Sequence, residues 1–277
     1  MKRFFKNIGL LTIFVFMFIL TMSIVGTLVY IFAPEGCEDF NFMLLYFTSM
    51  IAVYNLTVIL ERVVFKNVAP VYNARVGFNP VTILLGVVLI FSISVVLLPL
   101  EEMLSADSRT FPDGPLTLLT VVVLAPIFEE MIFRARLYNI LSRNSSPLMS
   151  ASLSALAFGV VHMEPIVIIE ALFVGVVLSY YYVSKRSIFT PIVLHMCNNA
   201  FAYSLAMLSY KGVSLRELIG SSADVHLAAY IACSVVVIAG TLYIVRFFVK
   251  EKRRMRGIEC QDMETIADHL DSNQLVE

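Results

Sequence analysis

The amino-acid sequence predicts an all-α polytopic membrane protein, a bundle of about eight transmembrane helices with both termini in the cytoplasm. Three observations predict it. Of 277 residues, 59% are hydrophobic and only 15% charged, below the charged share of an ordinary soluble domain, and the mean hydropathy is +0.84. The apolar residues fall into runs close to the roughly 20 that a helix needs to cross hydrocarbon. The charged residues sort by sign into alternate loops, and basic loops stay cytoplasmic.

The first run, 8–32, follows Lys2, Arg3 and Lys6. It is longer than the apolar region of a signal peptide and is read as a retained span. The second, 42–60, lies between Glu35, Glu38 and Asp39 on one side and Arg62, Lys66 and Arg75 on the other. The third, 81–100, ends at Glu101 and Glu102, before a loop with Asp107, Arg109 and Asp113. The fourth, 116–141, contains Pro126 and closes on Arg136 and Arg143. The fifth and sixth, 147–163 and 165–183, are parted only by Glu164 and Pro165, and a proline suits a helix start because its missing N–H costs nothing there. Lys185 and Arg186 then lead to the seventh, 188–208, with Pro191 in its first turn. Lys211, Arg216, Glu217 and Asp224 precede the eighth, 225–249, and a basic stretch, 246–256, follows it. The sign alternates at every loop, as an even number of spans requires.

Residues 1–249 therefore read as one transmembrane helical domain and 250–277 as a polar cytoplasmic tail. The tail is expected to form a short helix around 263–270 or to stay disordered, and no function is assigned to it. Cys37, Cys197, Cys233 and Cys260 form no metal or disulfide framework; Cys197 and Cys233 read as small buried hydrophobes. The net charge of -1 is a sum over segregated loops and says nothing about nucleic acid, which is not an expected partner of a membrane bundle. There is no internal repeat of the kind common in transporters.

Polar pairs interrupt three of these spans. Ionisable groups are expensive in hydrocarbon and face a bundle interior or a wet cavity. Glu130 and Arg134, four apart in the fourth span, share a helix face and can pair. Glu129 points about 100° away and is free for another partner. Pro126, just upstream, leaves a backbone carbonyl without its donor. The fifth span is rich in small residues that let helices approach, and Phe158 and His162 share a face there. In the seventh, His195 and Asn199 do the same. His226 and His269 lie at a span edge and in the tail and are background. Glu170, about five residues past Pro165, is read as a hydrated residue near the outer interface.

A glutamate and two histidines in one cavity admit two chemistries. Glu129, His162 and His195 could hold a divalent metal such as zinc, with an open water position. Alternatively Glu129 and His162 could activate water directly while His195 and Asn199 stabilise an oxyanion. Either suits amide hydrolysis, and the HExxH zinc signature is absent.

Glu129-Glu130…Arg134, Phe158…His162 and His195…Asn199 resemble, in order, the EExxxR, FxxxH and HxxxN motifs of the CAAX protease and bacteriocin-processing family of intramembrane proteases, similar to type II CAAX prenyl endopeptidases. The resemblance covers roughly 116–208. It implies a helical bundle with a site open toward the cytosol that cleaves membrane-associated or lipid-anchored proteins, as a metalloprotease or a glutamate protease. By that analogy Glu129 and His162 activate water, His195 and Asn199 bind the oxyanion or a metal, and Glu130 and Arg134 order the site. Ala135 stands where glycine is common in the family. Depth is the second departure: His162 lies ~18 Å from the inner end of its span and His195 ~10 Å from that of its own, at the helical rise. Convergence thus requires a tilted fifth helix or an inner boundary nearer the motif.

Two other classes compete. A proton-coupled transporter would use Glu129, His162, His195 and Glu170 as a relay, and a scaffold or immunity protein would keep the fold and bind a partner. Glu129→Gln separates them: it abolishes hydrolysis, impairs transport in a pH-dependent way, and leaves binding untouched.

Overall fold

The computed structural model describes residues 2–71, 79–104, 112, 114–209, 213–220 and 222–274, with side chains between 5 and 255. Arg75, Asp107, Arg109, Asp113 and Lys211, used above to orient the loops, lie outside the described residues, as do the side chains of Cys260 and His269.

The described residues form helices α1 (Lys2–Phe32), α2 (Glu38–Phe65), α3 (Pro80–Leu104), α4 (Pro115–Ser142), α5 (Pro147–Val160), α6 (Pro165–Lys185), α7 (Phe189–Ser209), α8 (Leu215–Ile219) and α9 (Ala223–Gln274), and no strand is found among them. Every expected span is a helix. Six of them, α1 to α4, α6 and α9, are long and apolar enough to cross a membrane. The all-α polytopic fold class stands. Helix α7 has the length, but His195, Asn198 and Asn199 dilute its apolarity.

Two boundaries differ from expectation. The fifth helix stops at Val160 after 14 residues, three short of the reading to 163. Pro165 disfavours helix at the residue before it, and Glu164 is extended at φ -102° and ψ 124°. The chain closes instead through His162 N–H to Gly159 O at 3.0 Å and Met163 N–H to Val160 O at 3.1 Å. Gly159 is required here, because a Cβ would stand 2.6 Å from Ile168 O. The last helix runs on to Gln274 rather than ending near 249. Lys, Glu, Arg and Met are good helix formers, and no proline occurs between 246 and 274.

Two apolar clusters fill the bundle. In the first, Phe133 of α4 lies 5.6 Å from Phe14 and 5.9 Å from Phe18 of α1, and 5.1 Å from Phe158 of α5, between ring centroids. The second gathers Ile90 and Ile93 of α3, Leu178 and Tyr182 of α6, Leu194 of α7 and Phe248 of α9. Helices α4 to α7 lie between these clusters, and the polar motifs sit on α4, α7 and the end of α5.

Helix α4 is pinned at both ends. Asp39 of α2 accepts the Leu116 N–H at 3.1 Å and the Thr117 hydroxyl at 2.6 Å, as well as the Thr117 N–H, so it satisfies orphan donors of the first turn. At the other end buried Asn7 of α1 donates to Leu141 O at 3.0 Å. Glu61 of α2, fully buried, binds Arg136 at 3.3 Å, Arg143 at 2.6 Å and the Ala69 N–H at 2.7 Å. Arg136 also donates to Ala69 O at 2.8 Å, which draws the chain after α2 into the clamp.

Removing one partner of a buried ion pair leaves an uncompensated charge, at about 3–5 kcal/mol. Glu61→Ala is expected to lower the thermal unfolding midpoint in detergent sharply. Adding Arg136→Met to that variant is expected to recover part of the loss in the same melt.

Candidate active site

The acids lie on a regular stretch of α4, 125–132, between two π-helical turns at Thr120–Leu124 and Phe133–Tyr138. Such turns are rare and frequent at functional sites. Arg134, in the second turn, donates to Glu130 Oε1 at 2.7 Å, and both side chains are fully buried. Desolvating two ions costs several kcal/mol per ion unless further hydrogen bonds satisfy them. Arg134 also donates to Gly175 O of α6 at 3.3 Å and lies 4.6 Å from the Phe158 ring centroid, a cation–π contact. Gly175 is needed for this approach: a Cβ there would stand 2.8 Å from the Ala155 Cβ and 3.2 Å from the Arg134 guanidinium.

His195 of α7 joins the pair. Its Nδ1 lies 2.8 Å from Glu130 Oε1; a carboxylate oxygen accepts, so Nδ1 carries the proton. The other ring nitrogen, Nε2, faces Glu129 Oε2 at 3.5 Å. Glu129 points away from Glu130 as helical geometry dictates, and its Oε1 accepts from the Tyr46 hydroxyl of α2 at 2.5 Å. Phe47 and Phe128 pack edge to face beside this bond, centroids 5.5 Å apart. Glu129 is 9% exposed and His195 3%, so both sit in a nearly dry interior that magnifies electrostatics.

His162 stands in the turn after α5, not on the helix. Its Nδ1 lies 2.7 Å from Phe158 O. A carbonyl only accepts, so Nδ1 donates and Nε2 keeps a lone pair in the neutral ring. The His162 and His195 rings both meet the Phe158 ring edge on, at 5.0 and 5.5 Å. Phe158 is therefore the joint between the two histidines and Arg134. Helix α5 ends at Val160, so His162 lies in the turn beyond it and adjoins His195 through Phe158.

Asn199 does a backbone task. Its Nδ2 donates to Val121 O at 2.9 Å. In the first π turn Ala125 N–H reaches back to Thr120 O, and the donor that the same register would send to Val121 O falls on Pro126, which has no N–H. Asn199 supplies the missing hydrogen, so the carbonyl that Pro126 was expected to strand is the one that fixes α7 to α4. Ser154 of α5 also donates to a carbonyl of α4, Phe133 O at the second π turn, at 2.7 Å.

Glu129, Glu130, Arg134 and His195 thus form one hydrogen-bonded set, His162 adjoins it through Phe158, and Asn199 lies one turn from His195. Among the described residues no three His, Cys, Asp or Glu side chains are grouped as metal ligands; Glu129 Oε2 and His195 Nε2 face each other without a third donor beside them. Tyr46 and Ser154 carried no motif and were not read as site residues. Glu170 is half-buried and accepts from Ser94 Oγ at 2.7 Å.

Fold and site together define a polytopic all-α membrane protein whose helices bury two glutamates, an arginine and a histidine in one network. Residues 111–201, about a third of the chain, match the family described as type II CAAX prenyl endopeptidase Rce1-like. The resemblance read from the three motifs is borne out over this segment. The chain is 26% identical over 87 residues to the Bacillus subtilis (strain 168) protein named "Putative membrane peptidase YdiL", covering 31% of this chain and 36% of that protein. It is 31% identical over 103 residues to an Escherichia coli protein named "Uncharacterized 24.3 kDa protein", covering 35% of this chain and 47% of the other. The matches therefore span between about a third and about half of these relatives. No solved structure matches.

An unpaired buried carbonyl costs roughly 1–3 kcal/mol. Asn199→Leu should therefore lower the melting temperature in detergent by orphaning Val121 O. Combining it with Pro126→Ala, whose N–H can serve that carbonyl, should restore most of the stability.

Proposed function

We propose that the chain is an intramembrane endopeptidase that hydrolyses peptide bonds of membrane-associated or lipid-anchored proteins. One observation carries the reading. Of two adjacent buried carboxylates, Glu130 is neutralised by Arg134 and Glu129 has no cationic side chain of its own, only Tyr46 and the His195 ring. An ion pair that merely held helices together would need the first acid and not the second. The match of 111–201 to the endopeptidase family supports the reading, as does the peptidase named among the relatives.

In this mechanism Glu129 removes a proton from water while the His162 Nε2 lone pair accepts from the same water and orients it. The hydroxyl oxygen adds to the scissile carbonyl carbon, and the charge that develops on the carbonyl oxygen meets the second N–H of Asn199, with the His195 ring beside it. Collapse of the adduct breaks the C–N bond, and the proton held by Glu129 passes to the leaving amine. Glu130 and Arg134 contact no substrate; they hold His195 in its tautomer. Positioned acid–base groups contribute about 10²–10⁴-fold each, and an oxyanion donor a further 10²–10³-fold.

Mass spectrometry of new peptide termini tests this, comparing membranes from cells expressing wild type or Glu129→Gln at equal levels. Termini confined to wild type are expected, and identical profiles would sink the proposal. We also propose that both termini face the cytoplasm, from the loop charges. Cys37 is exposed between α1 and α2, so a membrane-impermeant maleimide should label it in intact spheroplasts, and Cys37→Ser should remove that label. Labelling of Cys37 only after lysis would reverse the topology.

A further inference from the structure

Tyr46 belongs to neither the three motifs nor the matched segment 111–201. It nevertheless makes the shortest contact to the carboxylate on which the proposed chemistry depends. A phenol that packs in a core has no need to reach a glutamate, and a buried hydroxyl has many backbone carbonyls available to it. Tyr46 instead donates to Glu129 Oε1 at 2.5 Å. The bond fixes which oxygen is left: Oε2, which faces His195 Nε2 at 3.5 Å. Glu129 otherwise has no anchor of the kind Glu130 draws from Arg134, because the residues three and four away from it on α4, Ala125, Pro126, Ile132 and Phe133, are apolar. Helix α2 is held firmly enough to act as a ruler. Phe47 packs on Phe128 at 5.5 Å, Asp39 ties its start to the first turn of α4, and Glu61 ties its end to Arg136.

We propose that Tyr46 is a positioning residue of the active site, which locks the Glu129 carboxylate so that a single oxygen is presented to water. The inference rests on the endopeptidase reading and extends it to a helix that no motif covers. A group held by a short charge-assisted hydrogen bond loses little freedom when the reaction begins, and a misplacement of about 1 Å can cost about 100-fold in rate. Without the hydroxyl the carboxylate can rotate, so the turnover number falls while substrate binding, made elsewhere, does not.

The test uses three variants with the full chain in membranes, then in detergent with a peptide spanning a cleavage site found by the terminal mass spectrometry. Tyr46→Phe keeps the ring and removes only the hydroxyl; Tyr46→Leu removes both; Glu129→Gln is the reference for lost chemistry. Expected is a fall in kcat of about 10–100-fold for Tyr46→Phe, with KM within about twofold and the melting temperature close to wild type. Tyr46→Leu should show a similar kcat. If Tyr46→Phe turns over like wild type and only Tyr46→Leu is impaired, the ring serves packing and the inference is overturned, while the Glu129-dependent cleavage keeps the endopeptidase reading intact. If Tyr46→Phe raises KM at constant kcat, the hydroxyl binds substrate and the positioning role is overturned. If no cleavage depends on Glu129, the endopeptidase reading and this inference fall together.

Discussion

One oxygen atom, Glu130 Oε1, receives both Arg134 and His195, and the arrangement of four helices follows from the need to satisfy it. A carboxylate this deep draws more than one donor, since its desolvation is offset by hydrogen bonds as well as by charge; both donors fall on Oε1, and Oε2 has none among the described residues. Arg134 places its second amino group on Gly175 O of α6 and its guanidinium over Phe158 of α5, which goes with the close approach of these helices. His195 must come within reach from α7, and its second nitrogen is thereby aimed at Glu129. The proposed chemistry is thus a by-product of neutralising a buried charge: the groups that stabilise Glu130 orient the groups that surround Glu129.

The backbone of α4 contributes a second kind of joint. At each π turn a backbone carbonyl takes a side-chain donor from a different helix, Asn199 at Val121 and Ser154 at Phe133. Unsatisfied carbonyls are intolerable in hydrocarbon, so these contacts set the angular position of α7 and α5 about α4. Apolar packing alone leaves that position loose, because lipid tails are as apolar as the helix surfaces they compete with. Asn199 is therefore both the neighbour of His195 and the reason that His195 faces inward.

Most of the helices could be read from the sequence because hydrocarbon imposes a length and a composition that a run of residues displays directly. The pairing of Glu130 with Arg134 was also legible, being a matter of spacing on one helix, and so was the carbonyl stranded by Pro126. The partner of that carbonyl was not, since nothing along the chain joins residue 121 to residue 199. Tyr46 was invisible for the same reason: an aromatic residue in an apolar run carries no sign of where its hydroxyl points. Glu61 went unremarked beside Arg62, and only the fold brings Arg136 and Arg143 to it. The end of α5 was misplaced because hydrophobicity continues through Val161 to Met163, whereas the chain reverses there for reasons of backbone geometry at Glu164 and Pro165. The full length of α9 is not legible because a polar stretch suits a solvated helix and an irregular tail equally well.

The shortness of α5 bears on the bilayer itself. Fourteen residues rise about 21 Å, against a hydrocarbon thickness of about 30 Å. A helix that begins at one interface stops roughly 9 Å below the other, and the column above it holds the turn with His162, Met163 and Glu164. Such a mismatch is relieved by thinning the surrounding lipid or by flanking residues that reach toward the interface. The proposed hydrolysis consumes one water for every bond it breaks, and a dent over this short helix would bring solvent toward the histidine at its tip.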